Sequence, residues 1–347
     1  MPIVSIPNVR LAGIAASVPP LEEVSWSEIP DPDRFKVRRS RGEIPFRRMA
    51  RVEQCQSDFC VEAAKSLLTE LGWHPSEIEL VIMVTLTPDY PIPATAIIVQ
   101  DRLGIPKTAA AFDLASGALG FLHGLQIAAS MLSSGYLKKA LLLTGEVSKT
   151  LELSDNSTPY RAIYGHSGSV CALEYVKGEV PMFFDTGGDG ADLEAFYMPV
   201  GGVRNPPRAE MFNESQGIRY ASDYIIDVAR ISARALKELP PSIERVLATA
   251  GLMLSEFDAC FITSLPLPVQ SALRTKLSLT VDRLNSTSYE YGWSGSGTIP
   301  LAMIARSGSL LRAGRYTSLF SGIGPGLAWG SAIVTTDKIS CPPILEL

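Results

Sequence analysis

The chain is poor in histidine, has no paired cysteines and carries little net charge, and each shortage narrows what it can be. Its 347 residues include three histidines, His74, His123 and His166, all in the first half. The second half therefore has no imidazole to offer a metal or a reaction. The five cysteines, Cys55, Cys60, Cys171, Cys260 and Cys341, form no Cys-x-x-Cys pair and stand mostly in apolar strings such as SVCALEY and DACFIT. A reduced thiol in such surroundings behaves as a small hydrophobe, so neither a zinc site nor a disulfide framework is indicated, and no cofactor is expected. Charged residues make up only 19% of the chain and the net charge is −5, which argues against a general nucleic-acid binder. A long apolar run is also missing. The opening MPIVSIPNVRLAGIAASVPP lacks a basic start and is interrupted by Pro2, Pro7 and Pro19, so neither a signal peptide nor a membrane-spanning helix is expected, and the chain reads as cytoplasmic.

What the chain does have is a large apolar fraction and an internal repeat. At 46% hydrophobic it can bury a sizeable core, as one big unit or as two domains of roughly 150–200 residues. The run Ser76-Glu77-Ile78-Glu79-Leu80-Val81-Ile82 is echoed by Ser255-Glu256-Phe257-Asp258-Ala259-Cys260-Phe261, an offset of 255 − 76 = 179. LSSGYLKKALLLTG and LLRAGRYTSLFSG both read as a helix end, a glycine stop and an apolar strand, with Gly135 and Gly314 again offset by 314 − 135 = 179. Repetition at a fixed offset marks a duplicated architecture. In each half a helix, about 57–71 and about 224–239, precedes the acidic-start strand, and a second helix, another strand (AAAFDLAS; VDRLNSTS), a helix and a last strand follow. The alternation predicts an α/β fold of two βαβαβ halves, 1–175 and 176–347, with mostly parallel sheets covered by helices. The helix Ala118–Ser133, apolar on nearly every side, is the candidate for a layer shared by both halves.

Local strings then narrow the fold. FDLASGALGF (Phe112–Phe121), YGHSGSVCAL (Tyr164–Leu173), FDACFITSLP (Phe257–Pro266), YGWSGSGTIPLAM (Tyr291–Met303) and GIGPGLAWGSAIV (Gly322–Val334) occur in this order along most of the chain. Together they resemble β-ketoacyl-acyl-carrier-protein synthase III, a thiolase-like condensing-enzyme family, and so imply a layered αβαβα sandwich. In that family a cysteine at a helix N-terminus, its thiolate favoured by the helix dipole, attacks an acyl thioester, and a histidine and an asparagine from the other half assist the condensation. Carried onto this sequence, the cysteine position is Ala118, the histidine position is Thr263 (Ser264 if the strand slips by one), and the asparagine position is Trp293. A methyl group cannot attack a carbonyl, and an indole in place of a small amide fills space where acyl chain and pantetheine would meet. The resemblance thus implies an intact fold with an erased triad.

Such a combination is expected of a catalytically silent subunit in a heteromeric acyltransferase or condensing complex of secondary metabolism, of the polyketide or phloroglucinol type. The comparable complex is a monoacetylphloroglucinol acetyltransferase, whose synthase III-like component is accompanied by a thiolase-like subunit and a small oligonucleotide-binding-fold subunit. The implied partners are a second copy or a competent thiolase-like chain, with acyl-CoA or acyl carrier protein as possible ligands. Two alternatives stand beside it: an active acyltransferase or hydrolase using Ser116 or another hydroxyl, and a binding protein for an acyl thioester or aromatic product.

Single residues are weighed against plainer roles. Ser116 reads as a turn or cap residue, since a serine nucleophile needs a base within reach and the nearest in sequence, His123, stands about two turns into the apolar helix. His123 and His166 read as core or structural histidines. Glu146 ends an apolar strand, where α/β sheets place functional side chains; its plainer role is a carboxylate paired at the rim. Ser294, Ser296 and Thr298 read as helix-start residues, and Pro325 removes a backbone donor from its glycine-rich turn. Arg34, Lys36, Arg38, Arg39, Arg41, Arg47, Arg48 and Arg51 surround one acid, Glu43. Arg38, Arg39, Arg47 and Arg48 are candidate contacts to an acidic partner or a phosphate-bearing ligand, against the plainer reading of a solvated basic loop.

Overall fold

The computed structural model describes residues 3–23, 46–148, 164–206, 224–288 and 290–347. The first half contains β1 (Val4–Ile6), β2 (Val9–Val18), β3 (Leu21–Glu23), β4 (Phe46–Arg48), α1 (Gln56–Leu71), β5 (Leu80–Val84), α2 (Thr95–Arg102), β6 (Ala110–Leu114), α3 (Gly120–Leu132), β7 (Lys139–Glu146) and β8 (Ser167–Tyr175). The second contains β9 (Met182–Gly188), β10 (Phe196–Tyr197), β11 (Ile225–Ile226), α4 (Val228–Ala250), β12 (Ala259–Ile262), α5 (Leu267–Lys276), β13 (Leu284–Asn285), α6 (Thr298–Ala313), β14 (Arg315–Gly324), β15 (Ala328–Asp337) and β16 (Leu345–Glu346).

Two six-stranded sheets form, in the orders β16-β2-β8-β7-β5-β6 and β1-β9-β15-β14-β12-β13. The repeat seen in the sequence is structural: β5 starts at Leu80 and β12 at Ala259, again 259 − 80 = 179 apart. Helices α3 and α6 lie between the sheets, α1 and α2 cover the outer face of the first, and α4 and α5 cover the outer face of the second, which makes the five-layered sandwich. The outer strands are exchanged. β1 pairs with β9 in the second half's sheet, while β16 pairs with β2 in the first half's.

The sheets are mixed rather than mostly parallel. β5 runs parallel to β6 and β7, but β8 is antiparallel to both β7 and β2, and β12, β13, β14, β15 and β9 repeat the pattern. The second-half case shows why: only three residues join β14 to β15, too few for the crossover that a parallel pair requires. Helix α4 runs on to Ala250, through Pro240 and Pro241. Proline costs an interior helix a hydrogen bond, but here Leu239, Pro240, Ile243, Val246 and Leu247 are buried in the cluster beneath the second sheet, and each buried aliphatic side chain contributes roughly 1.5–3 kcal/mol.

The shared layer is as expected on one side of α3. Phe121, Leu122, Leu125, Ala128 and Ala129 are buried, and a Cβ on Gly124 would come within 2.7 Å of both Val84 and Leu142, so this glycine sets how closely helix and sheet approach. On its other side α3 is not enclosed: His123, Gln126, Ile127 and Met131 are half-exposed and line an open cleft.

Candidate functional site

The sheet ends of both halves converge on one cavity. Thr85-Leu86-Thr87 follow β5, Glu146 ends β7, and β6 leads through Ser116 to Ala118 at the start of α3. The second half supplies Ser264-Leu265-Pro266 after β12, the turn carrying Trp293 before α6, and Ile323-Gly324 at the end of β14. The enclosed space is about 70 Å³, well below the ~300 Å³ at which small-molecule sites begin.

Aromatic side chains fill much of the region. Tyr164 and Tyr224 stack with ring centres 6.4 Å apart, the Trp293 indole meets Tyr164 edge-on at 6.3 Å, and Phe196 meets Tyr224 edge-on at 6.0 Å. Paired glycines bring these segments together. Gly165 donates its N–H to the Trp293 carbonyl at 3.3 Å, and a Cβ on Gly165 would lie 1.8 Å from the Tyr291 carbonyl oxygen. No other residue allows this approach.

Glu146 is the carboxyl group of the cavity. It accepts hydrogen bonds from the Thr85 hydroxyl at 2.9 Å, the Thr87 hydroxyl at 2.8 Å and the Leu86 N–H at 3.0 Å. Burial nonetheless pushes its pKa up to about 7, against the downward pull of those donors. Among the described residues the lining holds no cysteine and no histidine. Cys60, Cys171, Cys260 and Cys341 are buried elsewhere with their thiols pushed upward by burial, so none is a ready thiolate.

The 3-oxoacyl-[acyl-carrier-protein] synthase III family model matches residues 112–190, from β6 to the end of β9. Over 306 residues the chain is 32% identical to a β-ketoacyl-[acyl-carrier-protein] synthase III of Desulfitobacterium hafniense, covering 86% of this chain and 88% of that protein. The chain belongs to the synthase III family. The crystal structure of a 3-oxoacyl-(acyl-carrier protein) synthase from Burkholderia xenovorans superposes with a TM-score of 0.89 at 25% identity over 100% of this chain and 99% of the other. A synthase III from Pseudomonas aeruginosa does so at 0.80 and 26% identity, over 96% and 99%. The duplicated thiolase-like α/β architecture is therefore that of the synthase III structures.

Within this synthase III fold the residues singled out from sequence part company. Ala118 and Trp293 line the cavity, as does Ser264, whose hydroxyl lies 3.4 Å from that of Thr298 and 3.2 Å from that of Ser288. Thr263 is not brought into the lining. It is buried behind the wall, where its hydroxyl accepts the Ile323 N–H at 3.2 Å and its methyl leans on Gly322, whose added Cβ would meet that methyl at 2.2 Å. The residue of that strand end that faces the cavity is Ser264.

Ser116 and His123 meet, with Oγ and Nδ1 3.1 Å apart. The helix starts at Gly120, so His123 sits in its first turn rather than two turns in. His166 is structural: the Ala50 N–H donates to its Nδ1 at 2.9 Å, and the Ser148 amide lies 3.2 Å from Nε2. Ser296 accepts from Gly145 N–H and donates to the Val84 carbonyl, at 2.8 and 2.9 Å, locking the turn before α6 onto the first sheet.

Arg48, one of the docking candidates, is held inside the fold. It is 8% exposed, donates to the Pro19 carbonyl at 2.7 Å, pairs with Glu346 at 2.8 Å and lies 5.0 Å over the Tyr291 ring, so its guanidinium braces the C-terminal strand. Arg38, Arg39 and the Arg47 side chain lie outside the described residues. The Tyr164–Phe196–Tyr224 cluster was missed from sequence, because its members come from three separate segments that carry no shared pattern.

Proposed function

We propose that this chain is a synthase III-like subunit that has lost the family's cysteine-based condensation and serves a heteromeric acyltransferase or condensing complex of secondary metabolism. The observation that carries the reading is the cavity at Ala118. A methyl group stands at the nucleophile position, Trp293 at the asparagine position and Thr263 at the histidine position, the last facing away into the wall. The remaining space, about 70 Å³, is too small for an acyl chain together with a pantetheine arm. Loss of a single oxyanion donor typically removes about 3 kcal/mol of transition-state stabilisation, or 10²–10³ in rate, and here the nucleophile is absent as well.

The body of the fold is kept, which suits a partner that supplies shape rather than chemistry. Its companions on this reading are a competent thiolase-like chain, or a second copy, and a small oligonucleotide-binding-fold subunit, with acyl-CoA or acyl carrier protein delivered to the competent partner. The test is condensation by the purified chain, read as carbon–carbon bond formation between an acyl-CoA and malonyl-acyl carrier protein. No product is expected from the wild type or from Ala118→Cys. Robust product from the wild-type chain alone overturns the reading.

A further inference from the structure

The cavity at Ala118 is small, but its lining is chemically one-sided. Four aromatic side chains, Tyr164, Phe196, Tyr224 and Trp293, share it with a single carboxyl group, Glu146, and among the described residues no lysine, arginine or histidine lines it. The rings are set as walls. Trp293 stands at 63° to Tyr164 and Phe196 at 80° to Tyr224, while Tyr164 and Tyr224 lie within 16° of parallel. With ring centres 6.0–6.4 Å apart, a group seated among them comes within the ~6 Å over which the face of a ring attracts a cation.

The carboxyl is placed to complete such a site. Glu146 Oε2 accepts both threonine hydroxyls and the shorter Leu86 bond, whereas Oε1 takes the longer Leu86 bond at 3.2 Å. Oε1 also faces Gly295, whose added Cβ would lie 3.0 Å from it; with glycine there, no side chain of that residue covers the oxygen. Burial pushes the carboxyl up to about 7, as expected where no positive charge offsets the loss of water.

We propose that this cavity binds a small alkylammonium ion, with its methyl groups against the four rings and its charge beside Glu146. The proposal rests on the reading that an acyl chain no longer occupies the cavity. Other occupants fit the lining less well. A carboxylate or phosphate finds no positive charge here and meets Glu146 as a like charge, and a neutral hydrocarbon satisfies the rings but leaves the carboxyl uncompensated. The enclosed 70 Å³, at ~10–15 Å³ per water-sized group, holds roughly five to seven such groups, the size of a trimethyl- or tetramethylammonium ion. A free ion fits this space, and the same headgroup on a long carrier does not.

The test is isothermal titration of the full chain with tetramethylammonium, whose charge does not depend on pH, from pH 6 to pH 8. The titratable groups around Glu146 are Tyr164 and Tyr224 in the cavity, Cys60 of α1 and His166 beside Ser148. Burial holds Tyr224 and Cys60 neutral over this range, and the Glu146→Gln variant separates Glu146 from the others. The expected result is saturable binding of one ion, strengthening as pH rises because the ion favours the ionised carboxyl; the gain approaches about tenfold per pH unit below 7 and levels off above it. Glu146→Gln should bind at least about tenfold more weakly at pH 8 and lose the pH dependence. Phe196→Leu, which keeps apolar volume and removes one ring, should cost roughly 2–30-fold. tert-Butanol, of the same size without the charge, and Nε-trimethyllysine, with the same headgroup on a longer chain, should both bind more weakly than tetramethylammonium. Circular dichroism confirms that each variant is folded, and the pH series and the two comparison ligands need no variant. No binding at about 10 mM, affinity independent of pH, equal binding by folded Glu146→Gln, or tighter binding of either comparison ligand overturns the proposal. Absence of ion binding leaves the silent-subunit reading standing, whereas condensation by the wild-type chain overturns that reading whatever the ion does.

Discussion

Glu146 gives the sharpest quantitative test of the site's electrostatics. Its carboxyl is buried at the end of β7 and holds three donors from the Thr85–Thr87 segment, yet its pKa is pushed up from 4.5 to about 7. The native state therefore binds this proton more tightly than the unfolded chain does. The contribution is fully present below about pH 4.5 and is lost as pH rises to about 7. At ~1.4 kcal/mol per pH unit, the gap amounts to a loss of ~3 kcal/mol. Glu146→Gln is nearly isosteric. Its amide oxygen can still accept from Leu86, and the Thr85 and Thr87 hydroxyls can turn to accept from its NH₂, but it cannot titrate. Urea unfolding of both proteins from pH 4.5 to 8.5 isolates the group, because every other titration cancels in the difference. The variant's stability relative to wild type should rise by about 2–3 kcal/mol between pH 5 and pH 8. Parallel stability curves would refute the reasoning, since they would mean that Glu146 keeps an ordinary pKa despite its burial.

Trp293→Ala should open the cavity toward the size of an ordinary ligand site, and because the indole is only half-buried the cost should be about 2 kcal/mol rather than the 3–5 of a fully buried residue; binding of an environment-sensitive apolar dye, increased over wild type, is the readout, and unchanged dye binding would show that the indole does not fill the site. Arg48→Ala should release the C-terminal strand: it removes the Pro19 and Glu346 contacts, the latter to a half-exposed partner, at a cost of about 1–2 kcal/mol. Faster carboxypeptidase trimming at Leu347 checks it, and trimming at the wild-type rate would count against the brace.

The duplication was legible in the amino-acid order because it is a matter of spacing. Two anchors at one offset located β5 and β12 and the glycine stops before β7 and β14, and the apolar strings of the family set the five-layered fold, since unbroken hydrophobic runs have to be covered on both faces. Ala118 and Trp293 could likewise be placed from local strings, because each sits in a turn whose neighbours are themselves distinctive. Tertiary structure alone decided what depends on contacts between distant segments. Whether Thr263 or Ser264 faces the cavity is set by the pleat of β12 against β14, where Gly322 gives Thr263 a seat in the wall. Arg48 looked like part of a basic surface until β16, from the far end of the chain, came to lie against it. Ser116 and His123, seven residues apart, meet only because the turn before α3 folds back and the helix starts at Gly120. The exchange of β1 and β16 between the sheets carries no local signal at all, since an edge strand of two or three residues is chosen by the free hydrogen-bonding edge it finds and not by its own composition.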